Sequence, residues 1–72
     1  MYNISSMEIL VNGRRESVDD RITLGTLIDA VVPAGKRVAV EVNEEIVPRA
    51  RHAAHKLEPG DRVEIVQAIG GG

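Results

Sequence analysis

The chain contains no cysteine, phenylalanine or tryptophan, and Tyr2 is the only aromatic residue among its 72 amino acids. The absence of cysteine excludes disulfides, thiolate nucleophiles and cysteine-based metal sites. The scarcity of aromatic rings argues against a pocket that stacks nucleobases or flat cofactors. We therefore expect a core made of Val, Ile, Leu and Ala.

A strong charge of either sign and long apolar runs are absent as well. Nine Lys and Arg residues against eleven Asp and Glu residues give a formal net charge of −2, whereas a nucleic-acid partner usually requires a basic surface. No run approaches the ~18 apolar residues of a membrane span, and no signal peptide is apparent. We expect a cytoplasmic protein that binds neither nucleic acid nor membrane.

The residues that are present fit one small folded domain. Apolar residues make up 43% of the chain, a share typical of globular proteins. At this length only about 60% of the unfolded chain's surface can be buried, so the core must be compact. We expect a flexible N-terminal extension at 1–6, a folded domain at 7–69 and a flexible glycine tail at 70–72.

Alternating apolar and polar residues predict the strands. At 7–11 the apolar residues fall on one face, and Asn12-Gly13 follows, which is the strongest short signal for a hairpin. The returning strand is predicted at 15–18. The remaining strands are predicted at 37–43, 46–47 and 62–69.

A single main helix is predicted between the hairpin and the third strand. Thr23 can cap its first turn, and Pro33 and Gly35 end it. Its core-facing stripe has the i, i+3, i+4, i+7 spacing and consists of Leu24, Leu27, Ile28 and Val31. This order of elements predicts an α+β roll, in which one helix crosses a mixed sheet of four to five strands.

No side-chain motif of an enzyme is present in the sequence. A nucleophile elbow, a P-loop and a dinucleotide fingerprint are all missing. His52 and His55 could share one face of a helix and hold a metal ion, but no third ligand follows at a known spacing. We interpret both as solvated histidines, and we expect neither catalysis nor a bound metal or cofactor.

Basic residues cluster in the segment that precedes the last strand. The members of this basic cluster are Arg49, Arg51, His52, His55 and Lys56. Together with Arg14 and Arg15 they could form a patch that binds phosphate or an acidic protein surface through charge-assisted hydrogen bonds. The simpler interpretation is an ordinary solvated face.

The sequence ends on Gly70, Gly71 and Gly72, directly after the last predicted strand. One hypothesis is a frayed end without function. The other is a working tail, in which the α-carboxylate of Gly72, ionised at neutral pH, is activated as an acyl-adenylate in a partner's active site. Glycine suits passage through a narrow channel, because it lacks a Cβ and adopts positive as well as negative φ.

An apolar patch is expected next to this tail. The parity of the last strand places Val66 and Ala68 on the face opposite the core, and Leu10 and Ala39 point outwards by the same rule. A contiguous apolar patch beside a reactive terminus would be a docking surface. The alternative is that these are scattered apolar surface residues, which are common.

Three stretches together resemble a known family: MEILVNG at 7–13, VAVEVNEEIVPR at 38–49 and LEPGDRVEIVQAIGGG at 57–72. The family is ThiS, the sulfur carriers of thiamine biosynthesis. The resemblance covers nearly the whole chain and implies the β-grasp, ubiquitin-like fold. Members usually begin near the position of Met7, so the first six residues depart from the pattern.

The resemblance also implies a mechanism and a set of partners. An E1-like adenylyltransferase would use ATP and Mg²⁺ to adenylate Gly72, and a sulfur donor protein would then convert it to a thiocarboxylate. Thiazole synthase would receive the sulfur. Gly71 and Gly72 match the terminal Gly-Gly of the family, and Gly70 matches a third glycine that many members show. The expected partner-binding residues are Gly70, Gly71, Leu10, Val66 and Ala68.

Other functions remain open within the same fold. The small subunit of molybdopterin synthase also ends in Gly-Gly and carries a thiocarboxylate, although the stretch before its tail is usually different. A carrier for another pathway and a ubiquitin-like modifier are further alternatives. A β-grasp binding module with an inert tail is the hypothesis from a different class.

Overall fold

The computed structural model describes residues 5–67 and shows a five-stranded mixed sheet crossed by one helix. In chain order the elements are β1 Ser6–Val11, β2 Arg14–Asp19, α1 Leu24–Val31, β3 Val38–Val42, β4 Glu45–Ile46, a 3₁₀ helix Arg49–Arg51 and β5 Arg62–Gln67. The strands are ordered β2-β1-β5-β3-β4 across the sheet. β1 and β5 are parallel, and the other neighbours are antiparallel. The predicted α+β architecture is confirmed.

Two tight turns set the register of the antiparallel pairs. Asn12 and Gly13 connect β1 to β2 with φ of 50° and 82°, and Val11 lies opposite Arg14. Positive φ at both central residues is the geometry that follows the twist of two strands, so the predicted hairpin is confirmed. The turn between β3 and β4 has the same form, with positive φ at Asn43 and Glu44.

The core lies between α1 and one face of the sheet. Apolar side chains from alternate strand positions meet Leu24 and Leu27 of α1, as the alternation predicts. Val47 and Leu57 complete the core from the irregular segments. Among residues 5–67, the buried core residues are Met7, Ile9, Val11, Leu24, Leu27, Val40, Val42, Val47, Leu57 and Val63.

The start of α1 is held by a side chain and by a neighbouring segment. The Thr23 hydroxyl oxygen accepts a hydrogen bond from the Thr26 amide at 3.2 Å, which confirms the predicted cap. The amides of Leu24 and Gly25 donate to the carbonyls of His55 and His52 at 2.7 and 2.8 Å. The segment after the 3₁₀ helix therefore satisfies two first-turn amides that a helix leaves without partners.

Two sequence-based expectations need correction. Helical spacing predicts Val31 in the core-facing stripe of α1, but Val31 is the last residue of α1 and is 48% exposed. The folded domain was predicted to begin at Met7, but Ser6 already pairs with Asp19, and the Ser5 carbonyl accepts a bond from the Asp20 amide at 3.0 Å. Backbone pairing with β2, which needs no apolar side chain, extends the strand.

Within residues 5–67, the other predicted strand and helix boundaries lie within one or two residues of the observed ones. The predicted end of the last strand at residue 69 lies outside the described residues. The extension at 1–4 and the segment 68–72, which includes the glycine tail, lie outside the described residues. Within residues 5–67, no helix is long and apolar enough to cross a membrane.

Candidate functional site

β5 lies in the middle of the sheet and is bonded on both sides. β3 pairs with it along its length, from Val42 opposite Val63 to Val38 opposite Gln67. β1 pairs with only its first two residues, Arg62 and Val63. Beyond them, the Asn12 side chain continues the bonding, since its Oδ1 accepts a hydrogen bond from the Ile65 amide at 2.7 Å.

A second asparagine fixes the start of β5. Asn43 Oδ1 accepts from the Arg62 amide at 3.0 Å, and Asn43 Nδ2 donates to Asp61 Oδ1 at 3.0 Å. The other carboxylate oxygen of Asp61 accepts from the Glu58 amide at 2.8 Å. Both tight turns thus send a side chain to β5, and the strand that precedes the last residues of the chain has a fixed position and direction.

The outer face is the side of the sheet away from α1, and Val66 is exposed on it. The Val66 side chain is 57% exposed and lies directly opposite Ala39 of β3, which is also exposed. Ile46 of β4 is 74% exposed and lies opposite Glu41, two residues beyond Ala39 on β3. The exposed apolar strip is defined as Ala39, Ile46 and Val66. Ala39 and Val66 lie near the end of β5, whereas Ile46 lies level with Glu64 in its middle.

The predicted patch is split by the register of β1 and β5. Leu10 is half-buried and lies beside Arg62, at the opposite end of β5 from Val66. Glu64 stands between Arg62 and Val66, and the span of four residues corresponds to about 13 Å along a strand. Leu10 therefore points outwards as predicted but is not adjacent to Val66. Ala68 lies outside the described residues.

Ile46 was not among the predicted site residues. The sequence predicts a short strand at 46–47, and its parity places Ile46 and Val47 on opposite faces. Val47 is buried, and successive residues of an extended chain point to opposite sides. That alternation is the signal that would have placed Ile46 on the outer face.

The basic cluster is divided between two depressions. Arg49 and His52 line a groove beside α1, whereas Arg51, His55 and Lys56 line a smaller one beside β4. His52 is half-buried, and its Nε2 donates to the carbonyl oxygen of Val47 at 2.9 Å, so the ring is fixed in the structure. His52 is therefore only partly solvated, because the 3₁₀ helix turns its ring toward the backbone after β4.

No metal site is found among the described residues. Among residues 5–67, no group of three or more His, Asp or Glu side chains is placed to hold a metal ion. The fold supplies a fixed central strand with an exposed apolar strip beside it. The segment after Gln67 contains the predicted reactive carboxylate. Gly70, Gly71 and Gly72 lie outside the described residues.

Known proteins resemble this chain in sequence. The family model for the ThiS family matches residues 1–72. The sulfur carrier protein ThiS of Escherichia coli is 30% identical over 66 residues, which are 92% of this chain and 100% of that protein. A thiazole synthase of Paramagnetospirillum magneticum is 36% identical over 66 residues, and there the match spans only 20% of the relative's length.

A solved structure confirms the fold. The crystal structure of the thiamine biosynthesis protein ThiS from Geobacter metallireducens superimposes with a TM-score of 0.77 and 34% sequence identity, covering 92% of this chain and 100% of that one. The expected β-grasp arrangement is therefore confirmed. Sequence match over the full length and agreement of the fold lead to one conclusion: the chain belongs to the ThiS family.

Proposed function

We propose that the α-carboxylate of Gly72 carries the sulfur in this protein, whose family role is that of a sulfur carrier in thiamine biosynthesis. The folded domain presents the segment after Gln67 to partner enzymes and performs no bond chemistry itself. The observation that carries the proposal is the position of β5. It is bonded to β1, to β3 and to both turn asparagines, and it leads directly to the last five residues.

The proposed chemistry begins with activation of the carboxylate. A Gly72 carboxylate oxygen attacks the α-phosphorus of ATP in an E1-like adenylyltransferase, pyrophosphate leaves, and an acyl-adenylate forms. Mg²⁺ in that enzyme would neutralise the phosphates. Activation is needed because an ionised carboxylate is a poor electrophile, whereas AMP is a good leaving group.

Sulfur then replaces the AMP. A persulfide on the sulfur donor protein attacks the acyl carbon through its terminal sulfur, and AMP leaves to give an acyl disulfide. A second thiol of the donor system attacks the donor's own sulfur, so that the disulfide forms between two donor thiols and the thiocarboxylate is released on Gly72. The two electrons needed to cleave the acyl disulfide come from that second thiol.

The composition supports the choice of the terminus. The chain has no cysteine, so no thiol of its own can hold the sulfur. Gly70 and Gly71 would allow the walls of a partner's channel to approach the backbone closely. From Gln67, five extended residues reach about 17 Å, enough to carry Gly72 well away from the sheet.

The relatives support thiazole synthase as the acceptor. In two proteins named thiazole synthase, a segment similar to this chain makes up about a fifth of the polypeptide. Joining a carrier to its acceptor raises the effective concentration of one at the other. We propose that this chain makes the same encounter with a separate thiazole synthase.

The exposed apolar strip is the proposed docking surface for the activating enzyme. Ala39 and Val66 are exposed apolar neighbours, and Val66 is more than half exposed next to the end of β5. Exposed apolar groups in this position are typical of protein contacts. Leu10 would lie at the margin of the contact, and Ala68 would extend it toward Gly70.

Intact-mass spectrometry tests the proposal directly. The protein is incubated with an E1-like enzyme, ATP, Mg²⁺ and a sulfur donor, and the mass should rise by the difference between one sulfur and one oxygen. Deleting Gly72, or adding one alanine after it, should abolish the change while the thermal unfolding curve stays the same. An alanine added before Met1 is the matched control and should have no effect. Unchanged sulfur loading in the variant with the added C-terminal alanine would refute the proposal.

A further inference from the structure

A groove with a partly apolar lining lies beside the C-terminal end of α1. It has a volume of about 590 Å³ and is bordered by α1, the loop that follows α1 and the 3₁₀ helix. Ile28, Val32 and Val38 contribute apolar side chains to it, and all three are only half-buried. We call it the α1 groove. Its volume lies within the range of sites that accept a ligand or a partner's side chains.

Positive charge dominates the lining of the α1 groove. Lys36, Arg37 and Arg49 line it, against a single carboxylate from Asp29. The groove is thus positive although the whole chain has a formal net charge of −2. All three cationic residues are exposed, and the ion pairs found within residues 5–67 involve other side chains. These cations are therefore available to the carboxylates of a partner.

The α1 groove lies at the end of the sheet where β5 ends. Val38, which lines the groove, is the register partner of Gln67, the last residue of β5. Lys36 and Arg37 directly precede Val38 in the chain. A partner that receives the segment after Gln67 therefore comes close to both cations.

We propose that the α1 groove docks an acidic segment of thiazole synthase, whose carboxylates pair with Lys36, Arg37 and Arg49. The proposal rests on the proposed function, because it names a contact made by the protein that takes the sulfur. Guanidinium–carboxylate pairs are directional, and complementary charge both speeds association and fixes orientation. Thiazole synthase is the occupant because two relatives of that name hold a segment like this chain within the same polypeptide.

Charge reversal in the groove tests this docking site. The groove variant combines Lys36→Glu, Arg37→Glu and Arg49→Glu, and its dissociation constant for purified thiazole synthase is measured at low and at high salt. We expect the constant to rise at least about tenfold at low salt, with the difference shrinking at high salt because ions screen the attraction. The matched control makes the same change in net charge outside the groove, through Arg14→Glu, Arg51→Glu and Lys56→Glu. It should bind like the wild type.

Each other outcome has a defined meaning. Equal binding by the groove variant and the wild type overturns the proposal, and so does an equal loss in the groove and control variants. Sulfur loading by the E1-like enzyme is measured in parallel, so that the proposed chemistry is judged separately. A defect in loading alone would assign the groove to the activating enzyme and overturn its assignment to thiazole synthase.

The same binding experiment also gives an answer if the groove variant does not fold or if the wild-type chain does not bind. If the groove variant fails to fold, as judged by circular dichroism, the neutral variant with Lys36→Gln and Arg37→Gln replaces it, with an expected increase of about threefold in the dissociation constant. If the wild-type chain does not bind thiazole synthase, that partner and the docking site are both refuted. Normal sulfur loading in that case would leave the carboxylate chemistry of Gly72 intact.

Discussion

The Gly25 amide donates to the carbonyl oxygen of His52 at 2.8 Å, which draws α1 and the segment after the 3₁₀ helix into close contact. A Cβ on Gly25 would lie 3.2 Å from the Cα of Ala53 and 3.3 Å from the carbonyl carbon of His52. Both are backbone atoms and cannot turn aside as a side chain can. The close approach explains a glycine within the first turn of a helix, where it is otherwise unfavourable.

The variant Gly25→Ala should therefore lose stability despite the better helix propensity of alanine. Overpacking destabilises by about 1–3 kcal/mol, whereas the propensity gain is at most about 1 kcal/mol. We expect a net loss of about 1 kcal/mol, measured by urea unfolding. The control Ala30→Gly, at an exposed position of α1, reports the propensity term alone. A Gly25→Ala protein more stable than the wild type would show that the two segments separate easily.

Glu44, in the turn between β3 and β4, has a strained backbone conformation that a substitution can relieve. Its φ is 71°, a left-handed conformation that costs a non-glycine residue about 1–2 kcal/mol. Glu44→Gly removes this strain but makes the unfolded chain more flexible, so we expect a net gain of about 0.5 kcal/mol. Thermal unfolding measures it. Glu44→Gln keeps the strain and removes the charge, so it should leave the midpoint of thermal unfolding unchanged. If this midpoint rose as much in Glu44→Gln as in Glu44→Gly, the gain would come from the loss of the charge.

Asn12 has two structural roles, a hydrogen bond from its side chain to the Ile65 amide and a positive φ in the turn. Substitutions can test the two roles separately. Asn12 has φ of 50° and also accepts the strand's hydrogen bond. Asn12→Asp keeps an acceptor and tolerates this φ, so its stability should match the wild type. Asn12→Gly loses about 1 kcal/mol with the hydrogen bond, and Asn12→Ala loses about 2 kcal/mol because strain is added.

Hydrogen exchange of the Ile65 amide shows whether this bond is the cause. Exchange should be faster in the Gly and Ala variants than in the Asp variant. If the Ile65 amide exchanges as fast in Asn12→Asp as in Asn12→Gly, the hydrogen bond does not stabilise β5.

Val66→Ser should weaken activation without weakening the fold. Val66 is 57% exposed, so its truncation changes stability by less than about 0.5 kcal/mol. If the exposed apolar strip docks the activating enzyme, removal of a central contact should lower the rate of sulfur loading about tenfold at subsaturating enzyme. Val31→Ser is the matched control, because Val31 is 48% exposed on α1, away from the outer face. Equal rates for the two variants would exclude Val66 from the contact.

The sequence predicts the local elements well, because burial of one face leaves a regular pattern. Alternation at 7–11 and at 38–42 is enough to locate two strands, and Asn12-Gly13 is enough to predict the hairpin between β1 and β2. Val31 shows the limit of this approach. Helical spacing places it with Leu24 and Leu27, but spacing does not show where the helix leaves the core.

Relations between distant segments are not contained in such patterns. Parity shows that Leu10 and Val66 point outwards, but only the register of β1 against β5 shows that Arg62 and Glu64 separate them. The α1 groove cannot be predicted from the sequence, for a related reason. Lys36 and Arg37 meet Arg49 there because the 3₁₀ helix packs against the start of α1, and no local pattern predicts that packing.

The central position of β5 has a mechanical consequence. A pull on its far end, directed along the strand, loads the hydrogen bonds to β1 and β3 in shear, so that many must break together. Peeling an edge strand would break them one at a time. A partner that took up the terminal glycines as proposed would therefore pull against the whole sheet, and the folded domain would resist that pull.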